Sequence, residues 1–490
     1  MTHRSPALGI YDVAKSHPQV VMTGLKGLNN SVSDEFIDDQ ELSAVDNFVI
    51  DYENAGVLIK REGITLAHAT CVNSSITSVF DGIAGDYATA NSAIWSLAGA
   101  EVHSGLAAMT DPTWTSYTDG SGNQYDIVSS SKMLPLKTSD GSTFAAINSA
   151  VSFLSIAAYN NFLFGIKDNT LRWSAFGDEE VWDASNSLTF DFQPTALTRY
   201  KNYLYMFNQN EFFQLDASSA VNVVVVGRNY DEGCSSHRST VVTPYGLFWW
   251  SKNGPVRSDG NEIVNIGKRK IPTTLESLNK DKYSLVHGVW NPSKERVEFW
   301  VFNSSSTTVD MKILYYPLQD AFFISTGAGT EMGASGLVMS SGAASVYVGS
   351  AASAAYVYTQ TGDTDNGTPI EARVTYKRVT PSGVNAVTRM RCQTPMIYAV
   401  GDLSMTYGIY LDSDSSVTKS WEIDASAGTG LVLGTGVLGT SALGGAEEAI
   451  EFPINRSFRY RKIKPYIADN TALRSRVRGV SLDGNIIRWP

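Results

Sequence analysis

The chain has 490 residues, of which 43% are apolar and only 18% charged, so it is long enough for two or three domains and too apolar for disorder. Its 41 Gly and 16 Pro, among abundant Ser, Thr, Tyr and Val, favour strands and turns, which argues against a helix bundle, a coiled coil or an α/β nucleotide-binding enzyme. The net charge of −11 is uneven, with 7 basic and 17 acidic side chains in residues 1–150 but 15 basic and 11 acidic in 371–490. An acidic whole argues against tight wrapping on nucleic acid, which requires clustered Lys and Arg.

Residues 1–30 read as an arm, because Pro6, Gly9, Pro18, Gly24 and Gly27 break any periodicity. No basic stretch followed by an apolar core marks a secretory leader. Apolar runs such as 223–226 fall far short of the ~20 residues of a membrane span. The expectation is folding in a cytoplasm, with no membrane span. Ser33 can cap a short helix over 33–45, with Phe36, Ile37 and Val45 behind an acidic face of Asp34, Glu35, Asp38, Asp39 and Glu41. A strand over 47–52, a turn at Gly56 and a second strand through Lys60 and Arg61 complete an N-terminal segment, 1–74.

From 75 to 370 one phrase recurs: two apolar–polar alternations joined by a short turn and closed by an aromatic strand. Asn160–Asn161 and Asp168–Asn169 are the turns of the clearest copy, and Lys201–Asn202 and Gln209–Asn210 those of the next. Starts near 76, 152, 195, 240, 285 and 336 give a period of about 45, the length of a four-stranded propeller blade, and the long first interval holds two units or one with an insertion. The expected fold class is therefore all-β, with a β-propeller of about six blades over 75–370. Strands expected over 370–378, 388–399, 405–412, 416–423, 450–454, 458–465 and 474–483 predict an antiparallel β-sandwich or platform for 371–490, interrupted by an uncharged Gly- and Ala-rich stretch at 425–449.

The chemistry-bearing residues assemble no catalytic motif. Cys71, Cys234 and Cys392 match no metal or redox spacing and are expected to be free thiols, and the six His residues show no HExxH spacing. Glu179, Glu180 and Asp183 could serve as a glycosidase carboxylate set but read as a solvated loop. Asp412 with Asp414, and the 363–367 turn, could each hold Ca²⁺ but read as hairpin turns. Trp249, Trp250, Trp290 and Trp300 could stack sugars but read as core between blades. No cofactor and no catalytic or metal residue is expected. Arg474, Arg476 and Arg478, spaced by two, would share one strand face, and Arg459 and Arg461 repeat the device. With the acidic residues 34–41 they form a candidate pair of subunit-interface patches.

One stretch carries a resemblance. Gly27-Leu28-Asn29, then Ala44, Asn47 and Asp51, then Gly56, Leu58, Lys60, Arg61 and Gly63, with an Asp365-Asn-Gly-Thr-Pro segment after the repeats, resembles the tail hub or nozzle proteins of short-tailed bacteriophages, similar to packaged-DNA stabilisation and tail tubular proteins. Lys26 stands where that family usually has a second Gly. The resemblance implies a non-enzymatic virion protein of the tail or head-to-tail connector. It implies a hexameric ring assembled in the host cytoplasm, docked to an adaptor or portal-side ring and to a needle or tail fibres, with genomic DNA passing through its lumen. A glycan-binding tail adhesin is the alternative.

Overall fold

The computed structural model describes residues 20–487, apart from positions 55, 72–74, 91, 108, 110, 149, 218–222, 341, 352–354, 381–388, 393–395, 401–402, 426–448, 454–457, 461 and 483. The chain is all-β, built of many small antiparallel sheets, with one short α-helix at Pro272–Ser277 among the described residues.

Seven four-stranded sheets, I to VII, follow one another along the chain. Their first strands are Ile76–Asp81, Thr113–Thr118, Ser155–Tyr159, Ala196–Tyr200, Val241–Thr243, His287–Asn291 and Met332–Ser340. In sheets I to VI the strands pair in sequence order. Sheet VII takes its fourth strand, Thr65–Cys71, from the far end of the chain, in register with Ala355–Thr359. Seven sheets exceed the six or so blades expected, because the interval 76–152 contains two of them and Thr65–Cys71 completes the last.

The predicted hairpins reflect local backbone chemistry. Tyr159 pairs with Phe162 across Asn160 and Asn161, both at positive φ (48° and 59°), the turn whose twist matches that of the strands it joins. Lys201 (φ 50°) serves the same purpose between Tyr200 and Tyr203. First strands lie side by side from sheet II through sheet IV and from sheet V through sheet VII, and that of sheet VII lies against that of sheet I. Between sheets IV and V the short turn His237–Ser239 touches both.

Sheets in such a series are buried on both faces, so alternation gives way to continuous apolar runs. Gly246–Ser251 of sheet V is buried throughout. Its Trp249 packs with Phe207 and Phe212 of sheet IV, while Trp250 packs with Phe299 of sheet VI. Trp300 is likewise fully buried, so these aromatics are core.

The remaining strands interleave the two ends of the chain. A five-stranded sheet runs Leu42–Asp46, Ala372–Tyr376, Ile463–Asp469, Leu403–Leu411, Lys419–Ala425. A six-stranded sheet is centred on Arg476–Leu482, which pairs with Val20–Met22, Leu58–Lys60 and Met396–Val400. A three-stranded sheet joins Phe458–Tyr460, Arg389–Cys392 and Gly484–Ile487. One hydrophobic cluster links both larger sheets with sheets V and VI, through Phe48, Tyr407 and Val477 on one side and Trp250 and Phe299 on the other.

The helix expected over 33–45 does not form. Only one turn begins, with Phe36 N–H donating to the Ser33 carbonyl. Acidic side chains then capture the backbone: Asp38 accepts from Gln40 N–H and Glu41 accepts from Asp38 N–H, and the chain extends into Leu42–Asp46. The arm is fastened from residue 20 onward. Gly27 (φ 69°) lies so close to Phe322 that a Cβ would meet its carbonyl oxygen at 2.4 Å, and Leu28 N–H donates to that same carbonyl. The rest of the arm, 1–19, and most of the stretch 425–449 lie outside the described residues.

Candidate functional site

The two charged patches proposed from sequence are brought into the body of the same chain. Asp34 binds Arg378 (3.2 Å) and Lys464 (3.0 Å), Glu35 binds Lys462, Asp39 binds Lys377 (2.9 Å), and Glu41 binds Lys270 (2.6 Å). Asp38 meets Lys26 at 3.3 Å in a more exposed pair. Arg474 donates to the Lys60 carbonyl and to Glu62, and Arg476 binds Asp51 at 2.9 Å. Arg474 precedes the strand Arg476–Leu482, so the three arginines do not share one strand face, and only Arg478 is exposed. Arg459 falls in the strand Phe458–Tyr460, and Arg461 lies outside the described residues. Within the chain, Lys26, Lys270 and basic residues between 377 and 464 answer the acidic group, while Asp51 and Glu62 answer Arg476 and Arg474.

The phrase residues do converge. Arg61, only 2% exposed, donates Nε to Asn47 Oδ1 (2.7 Å) and both terminal nitrogens to Asp365 (2.8 and 2.6 Å), with further bonds to the Glu62 and Thr326 carbonyls. Asn47 is held at φ 59°, and its Oδ1 also accepts Thr326 N–H. Gly63 is obligatory beside them, since a Cβ there would come within 1.9 Å of the Thr364 carbonyl oxygen. Asp365 is therefore committed to Arg61 and to Gly329 N–H (2.9 Å), not to a Ca²⁺ loop.

A wider ion network surrounds this junction. Glu62 collects Lys294 (3.1 Å), Arg296 (3.3 Å) and Arg474 (3.2 Å). Glu298, fully buried, accepts from Arg296, Lys312, Gln360 and Asn291. Burial alone would raise its carboxyl, but Arg296 and Lys312 hold it far below the ordinary carboxylate range. Lys60, also fully buried, donates to Asp469 (3.2 Å) and to the Thr471 carbonyl, and burial pushes its ammonium down. Sequence reasoning quoted Lys60, Arg61 and Asp365 only as parts of a resemblance. The signal of burial was available in Lys60-Arg61-Glu62 at the end of an apolar strand and in Arg296-Val-Glu298 inside one.

A second feature lies where the first strands meet. A cavity of about 520 Å³ receives residues from all seven sheets or the turns before them, among them Ser78, Thr113, Ala157, Thr198, Arg238 and Ser335. His287, on its wall, stacks on Trp300 and bonds Ser335 Oγ (2.8 Å) and the Met332 carbonyl (2.9 Å). Because a carbonyl only accepts, Nε2 carries the proton and Nδ1 accepts; burial pushes the ring down to about 3, so it stays neutral at pH 7. His237 is likewise pushed down by burial, to about 4, and its Nε2 has no partner. The sequence showed these two His far apart and without partners; closure of the sheets puts them on one cavity.

The carboxylates weighed for catalysis are otherwise engaged. Glu179 and Glu180 both bind Lys137 at 2.6 Å, and Asp183 caps Ser185. Asp414 accepts the Thr418 hydroxyl, and Asp412 (φ 54°) turns the chain. Cys234 is a free, buried thiol. Among the described residues no three His, Cys, Asp or Glu side chains cluster to hold a metal, and no helix is long and apolar enough to cross a membrane.

No protein-family profile matches the chain. No curated protein matches it significantly. Among solved structures it is similar to the crystal structure of the computationally designed Ika8 protein, at 9% identity and a TM-score of 0.37, over 60% of this chain and 99% of that one, a likeness too loose to bear on architecture or function.

Proposed function

We propose that this chain is a structural, ring-forming protein of a short-tailed phage tail, with its seven four-stranded sheets as the blades of one propeller and its two larger sheets as a platform sandwich. The observation that carries the reading is the junction at Arg61. Residues that belong to separate phrases of the resemblance, Asn47, Arg61 and Asp365, meet there in one buried hydrogen-bonded set. A part that transmits force between neighbours and passes a genome needs its two bodies fixed, and a bidentate guanidinium–carboxylate pair fixes orientation as well as distance. The adjacency of first strands within sheets II to IV and within sheets V to VII, with that of sheet VII against sheet I, supports the propeller arrangement. The acidic balance suits a bore through which DNA slides without being held. In this reading six copies surround the lumen, beneath an adaptor or portal-side ring and above a needle or fibres. Native mass measurement and negative-stain imaging of the purified chain test it. Six-fold rings are the expected result; a trimer would favour an adhesin, and a monomer at every concentration would refute ring formation.

A further inference from the structure

We propose that the cavity where the seven sheets meet binds a small polyhydroxylated anion, its acidic group held by Arg238 and its hydroxyls by the surrounding polar wall. The argument begins with charge. Elsewhere in this molecule a buried cation is answered by a carboxylate: Arg61 by Asp365, Lys60 by Asp469, Arg296 and Lys312 by Glu298. Arg238 is different. Its two terminal nitrogens donate to the Thr77 carbonyl (2.9 Å) and the Leu285 carbonyl (2.8 Å), both neutral, and no carboxylate among the described residues lies within ion-pair distance. Asp111, the acid whose charge reaches it, is engaged by the hydroxyls of Ser130 (2.8 Å) and Ser131 (2.6 Å).

A guanidinium has five donors in a planar fork suited to a carboxylate or phosphate, and two carbonyl bonds leave donors over. Partial burial without a counter-charge still costs a cation, and this one is pushed down to about 10. An anion in the cavity would relieve that cost.

The wall supplies the rest of the specificity. His237 Nε2 and Thr113 Oγ1 are buried polar atoms without a partner, and both residues line the cavity. Such atoms are uncommon and call for a ligand or water. Arg199 contributes a second cation, lying over the Tyr159 ring at 5.6 Å. Phe80, stacked on Trp114 at 5.1 Å, adds an apolar part to the wall, while the other face of Trp114 is taken by Tyr87. A volume of about 520 Å³ suits a ligand of that size.

Thermal unfolding and calorimetric titration of the full chain test this, using glucuronate and glucose 6-phosphate as probes of carboxylate and phosphate, with glucose as the uncharged control. Stabilisation by at least one acidic sugar and none by glucose is expected. In Arg238→Gln the affinity should fall roughly 10- to 100-fold, the loss of a hydrogen bond to a charged group. Thr113→Val, which keeps Arg238 in place, should weaken the same probe, so the test survives if Arg238→Gln does not fold. Equal response to glucose, no response to either acidic sugar, or unchanged affinity in both variants would overturn the proposal and leave a cavity that holds water only.

Discussion

Asp365→Asn tests whether the Arg61 junction holds the molecule together. The substitution keeps shape but leaves the guanidinium of Arg61, 2% exposed, with no counter-charge and one terminal nitrogen facing an amide donor. Breaking a buried pair by removing one partner costs about 3–5 kcal/mol, a roughly 100- to 4,000-fold change in the folding equilibrium. Arg61→Met should cost less than the sum expected from its five hydrogen bonds, because Asp365 keeps Gly329 N–H and Asn47 keeps Thr326 N–H. The double variant, which has no charge to strand, should fall short of the sum of the two single costs by about 0.5–3 kcal/mol. Urea unfolding followed by tryptophan fluorescence measures this, since Trp249, Trp250 and Trp300 are all fully buried. A cost below about 1 kcal/mol for Asp365→Asn, or strict additivity in the cycle, would refute the reasoning.

Gly63→Ala drives a Cβ into the Thr364 carbonyl, so it should destabilise by at least the ~1–3 kcal/mol of an overpacked core, read as a lower urea midpoint. Burial and the neighbouring Asp81 push Asp86 up to about 6; the stability this gives is present below pH ~4 and lost as pH rises through about 6. In Asp86→Asn the decline between those values should flatten, as stability curves at several pH values would record. Arg474→Glu places a second anion beside Glu62 and should destabilise the isolated chain, whereas Arg478→Glu, at an exposed position, should leave its melting temperature within error.

The strands of this chain were legible because each needs only local chemistry. The turn at Asn160–Asn161, the alternation at Leu197 to Phe207 and the C-terminal strands all fall within a few residues of their expected places. The helix over 33–45 was misread because its acidic residues do not form a solvated helix face. Asp38 and Glu41 bind backbone N–H groups, and Asp34 and Glu35 reach Arg378, Lys464 and Lys462, more than three hundred residues away. The charged patches were read in isolation for the same reason. Like charges in a row suggested a partner outside the chain, but long-range pairing supplied one inside it. The cavity was not legible at all, since His287 and the strands of seven sheets meet His237 and Arg238 only in the folded chain.

The junction and the completion of sheet VII are one device. The chain leaves the six-stranded sheet at Leu58–Lys60, spends Arg61 on Asp365, and four residues later enters sheet VII as its closing strand. On the other side it leaves sheet VII after Ala355–Thr359, and Gly362, Thr364 and Asn366 bond Gly63 and Ile64 before it reaches Ala372–Tyr376. Thr65–Cys71 is therefore held by its pairing with Ala355–Thr359 and by the ion pair at its root. Its contacts are among the longest in sequence, and such pairings are the last to be rewarded during folding and the first to open. Asp365→Asn should thus loosen this strand before the rest. Native-state hydrogen exchange should find the amides of Thr65–Cys71 and Ala355–Thr359 exchanging faster in the variant, while those of Gly246–Ser251, buried on both faces, change little. Uniform acceleration across sheets I to VII would mean that the pair supports global stability only, and that completion of sheet VII does not depend on it.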